Sequence, residues 1–212
     1  MTFIYRHKYL LPAGLIISML LLVIATWHYP GGSSVDPASV GFYWAHNYFS
    51  NLLNPVAING DANPARYWAV AAVFFLSLSM ATFFYRFAQR IPYRGSARVV
   101  RWGGITAALA GMLVSIPSQH DIMVLISGVC TLLVFFYLMV LVMPSRHRWL
   151  KIASVVFLSL FYLTSGIYFS GYMLYLLPVL QKLMLLAQMV WAIWLDNAIE
   201  REDLLPRKAT VS

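Results

Sequence analysis

The chain has 212 residues, of which 61% are hydrophobic and 10% charged, with a formal net charge of +8. Soluble domains are nearer half apolar and a quarter charged, so this is the composition of a membrane protein. Its basic residues sit beside the ends of apolar runs and form no separate basic domain, which argues against nucleic acid and for membrane lipids as partners.

A helix needs roughly 20 largely apolar residues to cross a ~30 Å hydrocarbon core, and inside lipid each backbone group must bond within its own segment. Six segments meet this need. They predict an all-α polytopic bundle of six transmembrane helices, a single integral membrane domain over 1–212, with a short outer amphipathic helix. The first predicted span is Tyr9–Trp27. Arg6, His7 and Lys8 precede it as in a secretory signal, but Thr26-Trp27-His28-Tyr29 is too bulky for a small-x-small cleavage site, so it reads as a retained span.

The outer loop, 28–66, follows. Gly31-Gly32-Ser33-Ser34 is a turn, and Asp36-Pro37 a second turn or helix start. From Gly41 to Asn54 a helical period places Phe42, Ala45, Phe49 and Leu52 on one side and Tyr43, Asn47, Ser50, Asn51 and Asn54 on the other. This predicts an amphipathic helix along the outer boundary. Asn54-Pro55 ends it, and Asn63-Pro64 reads as an N-cap followed by proline at the first helical position.

The second span is Tyr67–Phe87. Next comes RFAQRIPYRGSARVVR, with five arginines in sixteen residues. Such a segment suits anionic lipid, although orientation alone accounts for it. The third span, Trp102–Pro117, is the shortest. Its Gly104/Ala108 and Ala107/Gly111 pairs allow close helix approach within the bundle. Ser118-Gln119-His120-Asp121 turns into the fourth span, Ile122–Met143. That span holds Cys130, the one cysteine, which is read as an apolar filler. The fifth span is Leu150–Phe169 and the sixth Pro178–Leu195. Lys182 lies one turn into the sixth span, and Gln188 deeper, where a bond across helices is expected. The tail, 196–212, is rich in helix formers up to Leu205; Pro206 ends that extension and disorder is expected beyond.

Charge orients the spans. Arg6, Lys8, the five arginines at 86–101, Arg146, Arg148, Lys151, Arg201, Arg207 and Lys208 make 13 of the 15 basic residues on one side, leaving Arg66 and Lys182 for the other. The positive-inside rule then makes both termini cytoplasmic and turns the 28–66 loop outward.

Three groups of polar residues converge on the outer face: the loop, the turn at Ser118–Asp121, and the turn before the sixth span. A functional reading makes His46, His120 and Asp121 an acid/base set, because histidine exchanges protons near neutral pH and a carboxylate orients its ring. Asn47, Ser50, Asn51, Asp61, Arg66 and Lys182 are then the ligand-binding candidates, with Lys182 either holding an anion or reaching out to the interface. A structural reading has Ser118 or Asp121 capping the fourth span, and His46 and Asn47 satisfying loop carbonyls. No HExxH, GxSxG or histidine-rich tract is present, so no metal site and no cofactor is implied.

The element Asn47-Tyr48-Phe49-Ser50-Asn51-Leu52, after the first span and before an Asn-Pro start of the second, resembles the DUF998 family of multi-pass bacterial membrane proteins. It is more distantly similar to the Frag1/DRAM/Sfk1 group. Asn51 stands where that element often has an acidic residue. The resemblance implies a six-span fold in a bacterial inner membrane, with no established activity; some members of the distant group are linked to lipid-anchor remodelling. The leading expectation is a membrane protein that binds a lipid, a glycan or a partner through its outward face. The alternative is a lipid-active hydrolase or transferase using the histidine and aspartate residues, and a small transporter is the third.

Overall fold

The computed structural model describes residues 9–205; Arg6, Lys8, Pro206, Arg207 and Lys208 lie outside them. Among the described residues six α-helices follow one another: α1 (Leu10–Trp27), α2 (Ala65–Ala88), α3 (Arg94–Leu113), α4 (His120–Val142), α5 (Arg148–Ser170) and α6 (Leu177–Ala198). Short 3-10 turns occur at Phe49–Leu53, Pro117–Gln119, Leu174–Leu176 and Glu202–Leu204. No strand is present among the described residues, only isolated bridges between Gly31 and Val40 and between Val56 and Ala62. Among the described residues, five segments are long and apolar enough to cross a membrane: Leu10–Trp27, Ala65–Ala88, Pro117–Val142, Arg148–Ser170 and Leu174–Ala198. The remaining long helix, α3, carries Arg94, Arg98 and Arg101 in its first turns.

Consecutive helices run antiparallel and pack against one another. This gathers the α2–α3 and α4–α5 turns at one end, the basic pole, and the 28–64 segment with the α3–α4 and α5–α6 turns at the other, the loop pole. Arg66 and Lys182 are at the loop pole; the other described basic residues are at or near the basic pole.

The buried positions of α1 are Leu11, Leu15, Ser18, Leu22, Ala25 and Thr26. Spacings of four and three alternate, which lays one narrow seam along α2. Small groups let the two helices close: Gly14 faces Ser79, and the Ser18 hydroxyl donates to the Ala72 carbonyl at 2.7 Å. The small residues of α3 serve the same purpose within the bundle. Gly104 lies against the Phe84 ring with no room for a β-carbon, and Ser127 of α4 donates to the Ala107 carbonyl at 3.0 Å.

Helix α3 differs from the expected span Trp102–Pro117. It starts eight residues earlier, because the arginine segment is itself helical from Arg94, and it ends at Leu113. Pro117 forces Ile116 into an extended conformation (ψ 110°), so the helix cannot continue to it.

The core has two parts. A large cluster joins all six helices through Leu15, Phe83, Val100, Phe135, Phe157 and Trp191. A smaller one lies under the loop and packs Tyr29, Phe49, Leu52, Leu53 and Ala57 onto α1 and α2.

Candidate functional site

The loop is built by its asparagines. Asn47, fully buried, accepts from the Tyr43 amide at 2.8 Å and donates to the Gly32 carbonyl at 2.7 Å. Asn51 accepts from the Tyr48 amide at 2.6 Å. These bonds give the backbone an alternative to the α-helical ladder. The amphipathic helix expected over Gly41–Asn54 is therefore reduced to the 3-10 turn Phe49–Leu53; of its expected apolar side Phe49 and Leu52 are buried and Phe42 partly so, whereas Ala45 is exposed. Asn63 donates to the carbonyls of Asn54 (2.8 Å), Leu52 (3.2 Å) and Asn51 (3.3 Å) and accepts from the Ala65 amide (3.2 Å), so it ties the turn to the start of α2. Gly32 has φ +85°, and any side chain there would run into Ile58 and Asn59.

Lys182 joins the loop to α6. Its ammonium donates to the carbonyls of Asn47 (2.6 Å) and Pro178 (2.7 Å) and lies 5.5 and 5.3 Å from the ring centres of Phe42 and Phe49. It therefore neither reaches outward nor meets a carboxylate. Gln181 adds a second link, accepting from the Phe49 amide at 2.9 Å, and the Tyr48 hydroxyl donates to the Leu174 carbonyl at 3.4 Å.

Beside this clamp the bundle opens. The buried residues of α4 (Val134, Phe135, Leu138, Leu141, Val142) all lie in its basic-pole half, and so do those of α5 (Leu150, Ser154, Phe157, Leu158). Towards the loop pole the two helices leave a cleft of about 880 Å³ between themselves and α6. Val124, Gly128 and Leu132 line it from α4, Phe161 and Phe169 from α5, and Met184 and Leu185 from α6. Below it Phe135, Phe157 and Trp191 pack together with ring centres 5.0–5.4 Å apart, and the Trp191 indole donates to Ser154 at 2.9 Å. From His120 to Leu132 the wall of α4 descends about 18 Å at the helical rise, more than half of a ~30 Å hydrocarbon core.

Polar groups mark the mouth and descend one side. Tyr48, Ser50, His120 and Asp121 stand at the mouth; Tyr168, Ser165, Gln181 and Gln188 follow inward. Burial pushes the Tyr48 phenol above its usual range, with the neighbouring Tyr168 adding to the effect, so it stays a neutral donor. Gln188 makes no hydrogen bond among the described residues; in place of the expected bond across helices, it lines the cleft.

The predicted site residues separate accordingly. His120 and Asp121 meet, Nδ1 to Oδ1 at 2.9 Å, with the Asp121 side chain 94% exposed. That contact, within the first turn of α4, replaces the expected side-chain cap by Asp121 or Ser118; Gln119 is the N-cap residue and no side chain bonds there. His46 stacks on Tyr43 at 4.8 Å and does not line the cleft. Of the ligand-binding candidates, Ser50 reaches the mouth, whereas Asn47, Asn51 and Lys182 hold the loop together. Asp61 accepts from the Asn59 amide side chain at 2.7 Å in an exposed turn, and Arg66 lies beside Tyr67 and Val70 on α2, away from the cleft. No group of three or more metal-ligating side chains occurs among the described residues. The apolar walls carried no sequence motif; Gly128, with open space where a side chain would go, is the one local sign of a cleft. Comparisons of the chain with models of protein families, with curated proteins and with solved structures found no match.

Proposed function

We propose that this chain is a six-span, DUF998-like protein of a bacterial inner membrane, with cytoplasmic termini, that holds an amphipathic lipid in the cleft between α4, α5 and α6. The tail lies between the helices and the head group at the outward-facing mouth. The observation that carries this reading is that the fully buried residues of α4 and α5 all lie in their basic-pole halves, while their loop-pole halves border the cleft. Within a membrane, an apolar cleft at that depth is filled most favourably by hydrocarbon. The basic residues at the opposite pole support this orientation by the positive-inside rule, and α3 serves as the sixth span if its arginines lie at the cytoplasmic interface.

Native mass spectrometry of gently solubilised protein tests it. The wild type retains a lipid. Gly128→Phe, which projects a ring into the open cleft, loses it, and Gly166→Phe, at an open position of α5 outside the lining, keeps it. Equal retention by all three proteins refutes the reading.

A second reading, a lipid hydrolase or transferase, draws on the His120–Asp121 contact beside the same mouth. Turnover of a labelled lipid that disappears in His120→Ala, with binding unchanged, would select it.

A further inference from the structure

The residues that line the cleft carry information about the head group as well as the tail. At the loop pole the described basic residues are Arg66 and Lys182. Neither lines the cleft. The Lys182 ammonium is held by the Asn47 and Pro178 carbonyls and covered by Phe42 and Phe49, and Arg66 stands on α2. The charged group presented to a ligand at the mouth is instead the exposed carboxylate of Asp121, beside His120. A phosphate there would meet a carboxylate and no arginine or lysine, the reverse of an anion site.

What the lining does offer is neutral. The hydroxyls of Ser50, Ser165 and Tyr168 line the cleft, and among the described residues no protein partner holds them. Gln188 lies seven residues beyond Gln181, about 10 Å further in at the helical rise. Side chains on a helix lean towards its N-terminus, which for α6 is the loop pole, so the Gln188 amide reaches back up the cleft. An unpaired amide in an apolar cleft at membrane depth is costly unless a ligand or water bonds to it. Hydroxyl-bearing groups near the mouth and an amide donor below suit a lipid with a free hydroxyl and ester carbonyls.

From this juxtaposition we infer that the cleft selects an uncharged, ester-bearing lipid of the diacylglycerol type over anionic phospholipids. The inference rests on the lipid-binding reading and specifies its ligand class.

The experiment is competition on the full-length protein in mild detergent. Diacylglycerol, phosphatidylglycerol and phosphatidylethanolamine with the same acyl chains are supplied in equal amounts, and bound lipid is read by native mass spectrometry. Diacylglycerol is expected to exceed phosphatidylglycerol at least about tenfold, the scale of one lost or misplaced polar contact in a dry site. Gln188→Leu, which keeps the volume and removes the amide, is expected to lower the diacylglycerol signal by a similar factor while leaving the helix content and thermal midpoint of the protein unchanged. Phosphatidylglycerol bound as well as diacylglycerol, in a cleft that Gly128→Phe empties, overturns the ligand class and leaves the cleft reading standing. Diacylglycerol retention unaltered in Gln188→Leu overturns the class as well. No lipid on the wild type, or lipid insensitive to Gly128→Phe, overturns the lipid-binding reading itself and this inference with it.

Discussion

Replacing Lys182 with methionine isolates the bond between the loop and the bundle. Methionine keeps most of the apolar stem beside Phe42 and Phe49 but removes the ammonium and leaves the Asn47 carbonyl without its donor. Hydrogen bonds from a charged donor contribute about 1.5–3 kcal/mol each. Both bonds are lost, but only the one to Asn47, at 2.6 Å, crosses to the loop; the one to Pro178, at 2.7 Å, lies within α6, and the desolvation cost of the half-buried group is relieved at the same time. A net loss of about 1.5 kcal/mol in the free energy that holds the loop against α6 is expected. That is roughly tenfold in a local opening equilibrium. Hydrogen–deuterium exchange in detergent reads it directly: amides over 42–53 should exchange about ten times faster, while the buried half of α4 keeps its protection. A change of less than about threefold over 42–53 would refute the reasoning. It would mean that the asparagine bonds and aromatic packing hold the loop without the lysine.

Two other perturbations probe the supports around the cleft. Asn63→Ala removes three donations to the carbonyls of Asn51, Leu52 and Asn54 from a buried position, so a loss of about 2 kcal/mol is expected, seen as a fall of roughly 4–8 °C in the thermal midpoint. At the other pole Arg90 donates to the Asp196 carboxylate at 2.7 Å and to the carbonyls of Asp196 and Ile199. The Asp196 side chain is 5% exposed, so Arg90→Met strands a buried charge and should cost about 3–5 kcal/mol by denaturant unfolding. Adding Asp196→Leu to that variant should recover much of the loss; if it does not, the carbonyl bonds carry the clasp.

The helices were legible because a run of apolar residues long enough to cross a bilayer has few other folded uses. Five of the six expected segments match their helices within a few residues at each end. The mismatch at α3 has identifiable causes: the arginine segment continues the helix at one end, where Ala97 and Val100 pack on the core, while Pro117 trims it at the other. Around Gly41–Asn54 the period of apolar residues marked Phe49 and Leu52, which do face the core, but it misplaced Ala45, which is exposed, and Asn47, which is fully buried. The backbone between them escaped that reading, since Asn47 and Asn51 bond to nearby amides that an α-helix would have claimed. His46 and His120 looked alike as polar residues at one face, yet the fold turns one towards Tyr43 and the other towards the cleft. The cleft itself depends on where α4 and α5 stop touching. That is set by Phe135, Phe157 and Trp191 packing between three different helices, and no period within one helix encodes it.

Those three rings also give the pair α4 and α5 the mechanics of tongs. Beyond that grip α5 runs about 18 Å at the helical rise with no fully buried residue, while α4 is held over the same length on its α3 side by Ser127. A tilt of about 5° at the aromatic pivot moves the free end of α5 by roughly 1.5 Å over that arm. On the proposed lipid-binding reading, small rotations that leave the interdigitated rings in register match the bore to thicker or thinner occupants, and substitutions at the pivot alter which chain shapes the mouth admits.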